Sequence, residues 1–483
     1  MPEDVPPLPH LTPEEFRRHG HAVIDWIADY WTTVGERPVL SQAAPGSIAR
    51  ALPPSAPEVG EPFTALLADL DRVVLPGITH WQHPRFFGYF PANSSPAAVL
   101  GDLVSSGIGA QGMLWSTSPA LTEIEQVVTD WLADAMGLGD WSRSTGPGGG
   151  VIQDTASTAT MTALLAALHR ATGGTARDTG LQDGRRYAVY ASTEAHSSLL
   201  KAAMMTGVGY ANVRQIAVDP GTQAMRPEEL RAAVEADVAA GVVPVMVVSA
   251  VGTTATCAVD PTRAIGEIAA QHGIWLHVDA AFAGVAAICP EHRDLLDGVD
   301  EYADSLVTNP HKWLLTTFDC SVFWVRDRAA LTGALSIVPE YLRNTASDSG
   351  AVVDYRDWHP QLGRRFRAMK LWAVLRTYGL DGVRAHLRSG IAMARRLEEL
   401  VTADPRFELA LPRSLSLVCF ALRDGDRTAG LMEAVNASGI AYLTHTRLGG
   451  RFVIRASIGG VWTTPEDIEL TWRALQRAAD GLA

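Results

Sequence analysis

The sequence predicts an α/β protein with a mostly parallel sheet, preceded by a helical arm and followed by a smaller α+β region. Three observations carry that expectation. Short, almost wholly apolar runs at 187–191, 242–250, 274–278 and 321–325 alternate with helix-forming stretches, the pattern of strands buried on both faces of a parallel sheet. Ahead of them lies a proline- and alanine-rich stretch around one amphipathic segment. Behind them the pattern changes to one long helical stretch and a few alternating strands. The expected division is an arm over 1–95, a large α/β region over 96–369 and a small region over 370–483.

Residues 12–31 carry Phe16, Ala22, Val23, Trp26, Ile27 and Tyr30 at near-helical spacing, which predicts an amphipathic helix. Its apolar stripe is wide for so little surrounding sequence, so packing on its own core and packing on a second subunit both stay open. Pro53, Pro54 and Pro57 then interrupt regular structure. Residues 122–136 place Ile124, Val127, Val128, Trp131, Leu132 and Met136 on one helical face. The four apolar runs follow, each read as a parallel strand. Beyond them come a helix over 370–402, strands at 416–422 and 452–458, and a closing helix from Pro465. No internal repeat is apparent.

Composition narrows the function classes. With 483 residues the chain exceeds the size at which one hydrophobic core stops growing. The 40 Lys and Arg against 53 Asp and Glu give a net charge of −13, which argues against nucleic acid as a partner. Cys257, Cys289, Cys320 and Cys419 lie far apart with no CxxC pair. They read as reduced thiols of a cytoplasmic protein rather than metal ligands or disulfides. No signal peptide or membrane-spanning run is expected.

Three motifs fall where an open parallel sheet presents ligands, beyond the carboxyl ends of its strands. Gly146-Pro-Gly-Gly-Gly150 precedes Ala156 and Ser157 at a helix start, which offers backbone N–H groups to an anion such as phosphate. Taken alone, a loop with structural glycines explains it better. Asp279 closes the run 274–278, where a carboxylate needs a cation or several donors unless it is a helix cap. Lys312 sits in Asn309-Pro-His-Lys-Trp313, and most lysines are ordinary surface residues. In combination, a lysine able to form a Schiff base, an acid able to pair with a pyridinium and a phosphate-holding helix start are the groups pyridoxal 5′-phosphate (PLP) requires.

The chain resembles the group II PLP-dependent amino-acid decarboxylases, typified by aromatic-L-amino-acid decarboxylase. The matching segments are His83-Pro-Arg-Phe-Phe-Gly-Tyr-Phe-Pro91, Ser118-Pro-Ala-Leu-Thr-Glu123, Gly149-Gly-Val-Ile-Gln153, Ala195-His-Ser-Ser198, Val251-Gly-Thr-Thr254, His277-Val-Asp-Ala-Ala281, Asn309-Pro-His-Lys-Trp313 and Leu362-Gly-Arg-Arg-Phe-Arg367. They span nearly the whole chain. The resemblance implies the fold-type I PLP fold, with a swapped N-terminal arm, and a homodimer with active sites at the subunit interface. It assigns Lys312 as the cofactor lysine, Asp279 as partner of the pyridinium nitrogen and His196 as the ring-stacking histidine. Ala156, Ser157, Asn309 and His311 match phosphate-binding positions, and Thr254 and Ala281 match cofactor-site positions. Asp154 stands where animal members carry glycine. Tyr341, in Pro339-Glu-Tyr-Leu-Arg-Asn-Thr-Ala-Ser-Asp-Ser-Gly350, matches the proton-donating tyrosine of a mobile catalytic loop. Phenylalanine replaces it in relatives that form aldehydes.

The resemblance also implies an aromatic substrate wall of Trp81, Tyr89, Phe90 and Pro91, suited to a flat side chain and poor at solvating a second carboxylate. Ala92 stands where the animal catechol-processing enzyme has threonine. Gln111 and Met113 replace the isoleucine and phenylalanine that a neighbouring subunit would contribute. Gly363 occupies a position where glycine in plant relatives goes with indolic substrates and serine with phenolic ones. The expected activity is decarboxylation of an aromatic L-amino acid, tryptophan-like first, then phenylalanine, tyrosine or DOPA. The alternatives are an oxygen-using aldehyde synthase and a catalytically silent dimeric scaffold.

Overall fold

Seven strands build the main sheet: β1 (Gly149–Gln153), β2 (Arg186–Ser192), β3 (Val213–Ile216), β4 (Val242–Ala250), β5 (Trp275–Asp279), β6 (Ser305–Thr308) and β7 (Ser321–Val325). They belong to a computed structural model that describes residues 10–337, 345–348 and 351–482. The strand order is β1-β7-β6-β5-β4-β2-β3. Neighbours from β3 to β6 pair in parallel, whereas β7 runs antiparallel to both β6 and β1. The parallel assignment of 321–325 is thereby corrected. The link from β6 to β7 holds only the helical turn Pro310–Trp313, with no helix to carry the chain back along the sheet, so the strand returns antiparallel. Strands β1, β3 and β6 are also additions to the sequence reading.

Alternate strand residues feed two separate cores. Ile152, Tyr190, Val247, Leu276, Val278 and Trp324 join the helix residues Val128 and Leu132 in one. Val151, Val189, Met246, Trp275, Val307 and Phe323 join Ala159, Ala163 and Leu164 in the other. Both faces of the sheet are therefore covered, as the near-continuous apolar runs require. The flanking helices are Pro119–Met136 and Ala156–Ala171. The glycine run ahead of β1 is structural. A Cβ on Gly148 would lie 1.9 Å from the Val325 carbonyl oxygen, and one on Gly150 would lie 2.7 Å from Thr129. Only glycine lets β1 approach β7 and the helix this closely.

The described chain falls into two compact units. The unit with the main sheet comprises 87–429 and 443–461. It also holds an antiparallel sheet of β8 (Phe407–Leu409), β9 (Leu417–Leu422), β10 (Thr444–Leu448) and β11 (Arg451–Ser457), in the order β10-β11-β9-β8. The helix Ala368–Ala403 of this unit is interrupted at Gly379, whose φ is +62°.

The other unit comprises 1–86, 430–442 and 462–483. Its first helix, Pro13–Thr33, starts with a capping box in which the Thr12 hydroxyl accepts from the Glu15 N–H and the Glu15 carboxylate accepts from the Thr12 N–H. None of its residues is buried, and Phe16 is 60% exposed. Within the unit, Trp31 packs against Trp462, and Arg85 pairs with Asp467 at 2.8 Å.

Candidate active site

Because β2, β4, β5 and β6 run in the same sense, their carboxyl ends emerge at one end of the sheet. Each is followed by chemistry: His196 after β2, Gly252-Thr253-Thr254 after β4, Asp279 at the end of β5 and Asn309 after β6. β1 leads there too, into Thr155, Ala156 and Ser157 at the start of the helix Ala156–Ala171. These groups line one cavity of about 190 Å³ together with Phe90, Ala250, Ala281, His311 and Lys312. Every cofactor residue singled out in the sequence therefore reaches the same space.

The cavity is lined by both hydrogen-bond donors and a carboxylate. At one side the Thr155 hydroxyl caps the helix by accepting from the Thr158 N–H at 3.4 Å, while the N–H groups of Ala156 and Ser157 have no intrahelical acceptor. Asn309 accepts the Ser321 hydroxyl on Oδ1 at 2.7 Å, which leaves its amide N–H groups to donate. His311 accepts the Cys320 N–H on Nδ1 at 2.8 Å, so its neutral ring presents Nε2–H. Burial first, and the Lys312 cation second, pull the His311 pKa down to about 3. A helix N-terminus and donors without acceptors are the chemistry of a phosphate site.

The same cavity is lined by the Asp279 carboxylate, which accepts the Ala281 N–H at 3.1 Å. Lys312 is held on the turn Pro310–Trp313, and its Nζ lies 5.3 Å from the centroid of the Phe90 ring. Burial lowers the Lys312 pKa, Asp279 opposes that shift, and Arg455 adds to it, which favours the free amine needed for attack on an aldehyde. Phe90 stacks on Phe282, with centroids 3.8 Å apart, and Phe282 stacks on Trp313. His196 is open to solvent, yet the atoms packed around its ring still lower its pKa, with Asp279 opposing and Lys312 adding. Its Nδ1 accepts the Ser198 N–H at 3.1 Å.

Amine, carboxylate and phosphate-holding donors thus surround a space of the right size for a substituted pyridine, and the residues present fit PLP. Thr155, Gly252 and Thr253 line the cavity without having been singled out. The Val251-Gly-Thr-Thr254 motif pointed at Thr254 and could have indicated its neighbours. Gly252 has φ +92°, and a Cβ there would lie 2.7 Å from Ala283. Arg455 was missed outright. Its guanidinium lies 5.2 Å from the Phe90 centroid, and no motif marks it on β11.

The substrate-wall residues are not all gathered here. Phe90 lines the cavity, whereas Tyr89 is 51% exposed and Pro91 is buried. Ala92 is half-buried. Gln111 and Gly363 line a different cavity of about 500 Å³, and Met113 accepts the Arg356 N–H through its carbonyl at 3.1 Å. Trp81 belongs to the other unit, where its ring packs on Phe86. Tyr341 lies outside the described residues.

Known proteins are similar to the chain along nearly its whole length. A family model, the pyridoxal-dependent decarboxylase conserved domain, matches residues 45–423. The chain is 45% identical over 484 residues to phenylacetaldehyde synthase of Arabidopsis thaliana, covering 98% of each. It is 42% identical over 488 residues to tyrosine decarboxylase 2 of Narcissus pseudonarcissus, covering 99% of this chain and 96% of that one. Its fold matches the crystal structure of Oryza sativa TDC with PLP and tryptamine at a TM-score of 0.96 and 40% identity, over 99% of this chain and all of that one. With matching sequence over its length and a PLP-shaped donor set at the strand ends, the chain belongs to the pyridoxal-dependent decarboxylase family.

Proposed function

We propose that the protein decarboxylates an aromatic L-amino acid, with tryptophan or a similar bulky side chain favoured, to the amine and CO2. The observation that carries this reading is the single cavity shared by Lys312, Asp279, His196 and the start of the helix Ala156–Ala171. When bound, PLP supplies an aldehyde that takes up the substrate amine and a ring that accepts the electron pair released with CO2. Lys312 holds the cofactor and yields to the substrate amine. Asp279 keeps the ring nitrogen protonated, and His196 covers one face of the ring. Ala156, Ser157, Asn309 and His311 bind the phosphate, and Thr254 and Ala281 complete the cofactor site. Exclusion of water strengthens each of these contacts.

Gly363 supports the indolic preference. Tyr89, Phe90, Pro91 and Ala92, with Gln111 and Met113 from a second subunit, form the proposed aromatic wall. Borohydride treatment of the purified protein separates this reading from a silent scaffold. The expected result is a visible cofactor band that borohydride abolishes; a colourless protein that takes up no added PLP contradicts it.

Tyr341 is the proposed proton donor to the substrate Cα after CO2 leaves. Tyr341→Phe is expected to keep CO2 release while most organic product shifts from amine to aldehyde, with ammonia and hydrogen peroxide. Amine, aldehyde, CO2 and peroxide measured together, with and without oxygen, check this. An unchanged amine yield moves the donor elsewhere, with His196 the next candidate. The likeness to phenylacetaldehyde synthase keeps aldehyde formation by the unmutated protein as a second reading.

The protein is proposed to act as a cytoplasmic homodimer. Its four cysteines are buried and unpaired, as a reducing compartment favours. Among the described residues no helix is long and apolar enough to cross a membrane. Leu100, Leu103, Val104 and Ile108 form an exposed stripe on the helix Pro96–Ile108, and on the helix Pro13–Thr33 Phe16 and Ile24 are exposed while Val23, Trp26 and Ile27 are only half-buried. Such surfaces suit a second copy. Deleting residues 1–60 is expected to abolish the dimer and activity; a soluble, active monomer by light scattering contradicts this.

A further inference from the structure

Between the end of β1 and the helix Ala156–Ala171 stands an acid that the proposed chemistry leaves unused. Gln153 ends the strand, Asp154 follows, and Thr155 is the N-cap of the helix. Thr155, Ala156 and Ser157 line the cofactor cavity, whereas Gln153 and Asp154 line the cavity of about 500 Å³. Asp154 is half-buried. Its Oδ1 accepts the Thr155 N–H at 2.6 Å and lies 3.5 Å from the Thr155 hydroxyl. A carboxylate oxygen is therefore held against the N-cap residue of the helix whose start is offered to phosphate.

Charge makes this placement consequential. Aligned peptide dipoles give a helix start a partial positive charge, about half an elementary charge, that stabilises an anion placed there. The Asp154 carboxylate and a phosphate group are both such anions, and like charges near one helix start repel. Little at the phosphate end offsets that repulsion. Among the described residues that line the cofactor cavity, Lys312 is the one lysine and none is an arginine, and the Lys312 amine is taken up by the cofactor aldehyde. His311 is neutral, with burial first among the causes that bring its pKa to about 3. Arg367 lines the larger cavity with Asp154 but directs its donors to Asp319, through Nε at 3.0 Å and Nη2 at 3.1 Å.

We propose that Asp154 weakens cofactor retention: anchored on the Thr155 N–H, its carboxylate competes with the phosphate of PLP for the positive start of the helix Ala156–Ala171. The inference rests on the reading that this helix start holds that phosphate. A weaker hold makes the loaded fraction of the protein follow the concentration of free PLP. An aspartate that merely shapes the turn through its bond to Thr155 would act alike on cofactor with and without a phosphate.

Titration of the apoenzyme with PLP, and separately with pyridoxal, which lacks the phosphate, distinguishes these roles. The cofactor absorbance band reads each dissociation constant. Asp154→Asn removes the charge and keeps an oxygen to accept the Thr155 N–H. It is expected to tighten PLP binding by about 3- to 10-fold, the scale of one charge at a helix terminus, and to slow PLP release to match. The pyridoxal dissociation constant should stay at its wild-type value. Unchanged or weaker PLP binding by Asp154→Asn overturns the proposal, and so does equal tightening of PLP and pyridoxal. If the wild-type protein binds PLP no more tightly than pyridoxal, the phosphate reading itself falls and this inference with it. A wild-type preference for PLP that Asp154→Asn leaves unaltered removes the inference alone. Should Asp154→Asn fail to fold, Asp154→Gly passes through the same titrations with the same outcomes.

Discussion

Lys312→Ala is expected to lose the borohydride-reducible cofactor band and to lower turnover by roughly 10⁴-fold or more, the scale of removing a covalent catalyst. The expectation follows from position as well as chemistry. Lys312 stands on a single helical turn between β6 and β7, and lysine amines are not interchangeable when only one is placed at the cavity. Among the lining residues Lys312 is the one lysine, so no neighbour can take over the covalent attachment. Folding should be spared, because the truncated chain leaves the adjoining Phe90–Phe282–Trp313 stack in place. The absorbance spectrum, borohydride reduction and steady-state turnover check this together. Lasting turnover near wild type with a reducible band still present removes Lys312 from its assigned role.

Asp279→Ala is expected to bind PLP yet lower kcat by about 10²- to 10³-fold, comparable to removing one preorganised electrostatic contact at a reacting centre. Without a counter-charge, a protonated ring nitrogen in a desolvated site loses its proton, and the ring becomes a weaker acceptor of electrons. KM should change less than kcat, since the carboxylate meets the ring rather than the substrate side chain. Kinetics at saturating PLP check this. A wild-type kcat would make Asp279 a cap for the turn after β5 and nothing more, a role its bond to the Ala281 N–H already serves.

The parts of the fold that were legible in the sequence are those governed by local pattern. The run 242–250 coincides with β4, and 187–191 and 274–278 fall within a residue or so of β2 and β5, because strands buried on both faces are apolar almost throughout. The same rule says nothing about direction, so β7 was placed correctly and oriented wrongly. β6 has only four residues and β3 lies at the sheet edge, too little pattern to stand out. The glycine run 146–150 illustrates a different limit. Structural glycines were the favoured reading of its composition, but their cause, close approach of β1 to β7, is a tertiary fact.

For the site, the motifs identified residues that the topology gathers at one end of the sheet. Lys312, Asp279, His196, Ala156, Ser157, Asn309 and His311 come from four separate stretches of chain and line one cavity. Arg455 escaped notice because strand β11 reaches Phe90 through tertiary packing. Gln111 and Gly363 line a separate cavity of about 500 Å³, away from the residues gathered at the strand ends.

The most direct test is the product balance of the PLP-loaded enzyme with L-tryptophan, run beside phenylalanine, tyrosine and DOPA. CO2, amine, aldehyde and hydrogen peroxide are quantified in the same reaction. The account expects amine and CO2 in equal amounts, little peroxide, and the highest kcat/KM with tryptophan. CO2 accompanied by aldehyde and peroxide in place of amine, or no CO2 from any aromatic amino acid by enzyme with a full cofactor band, would contradict it.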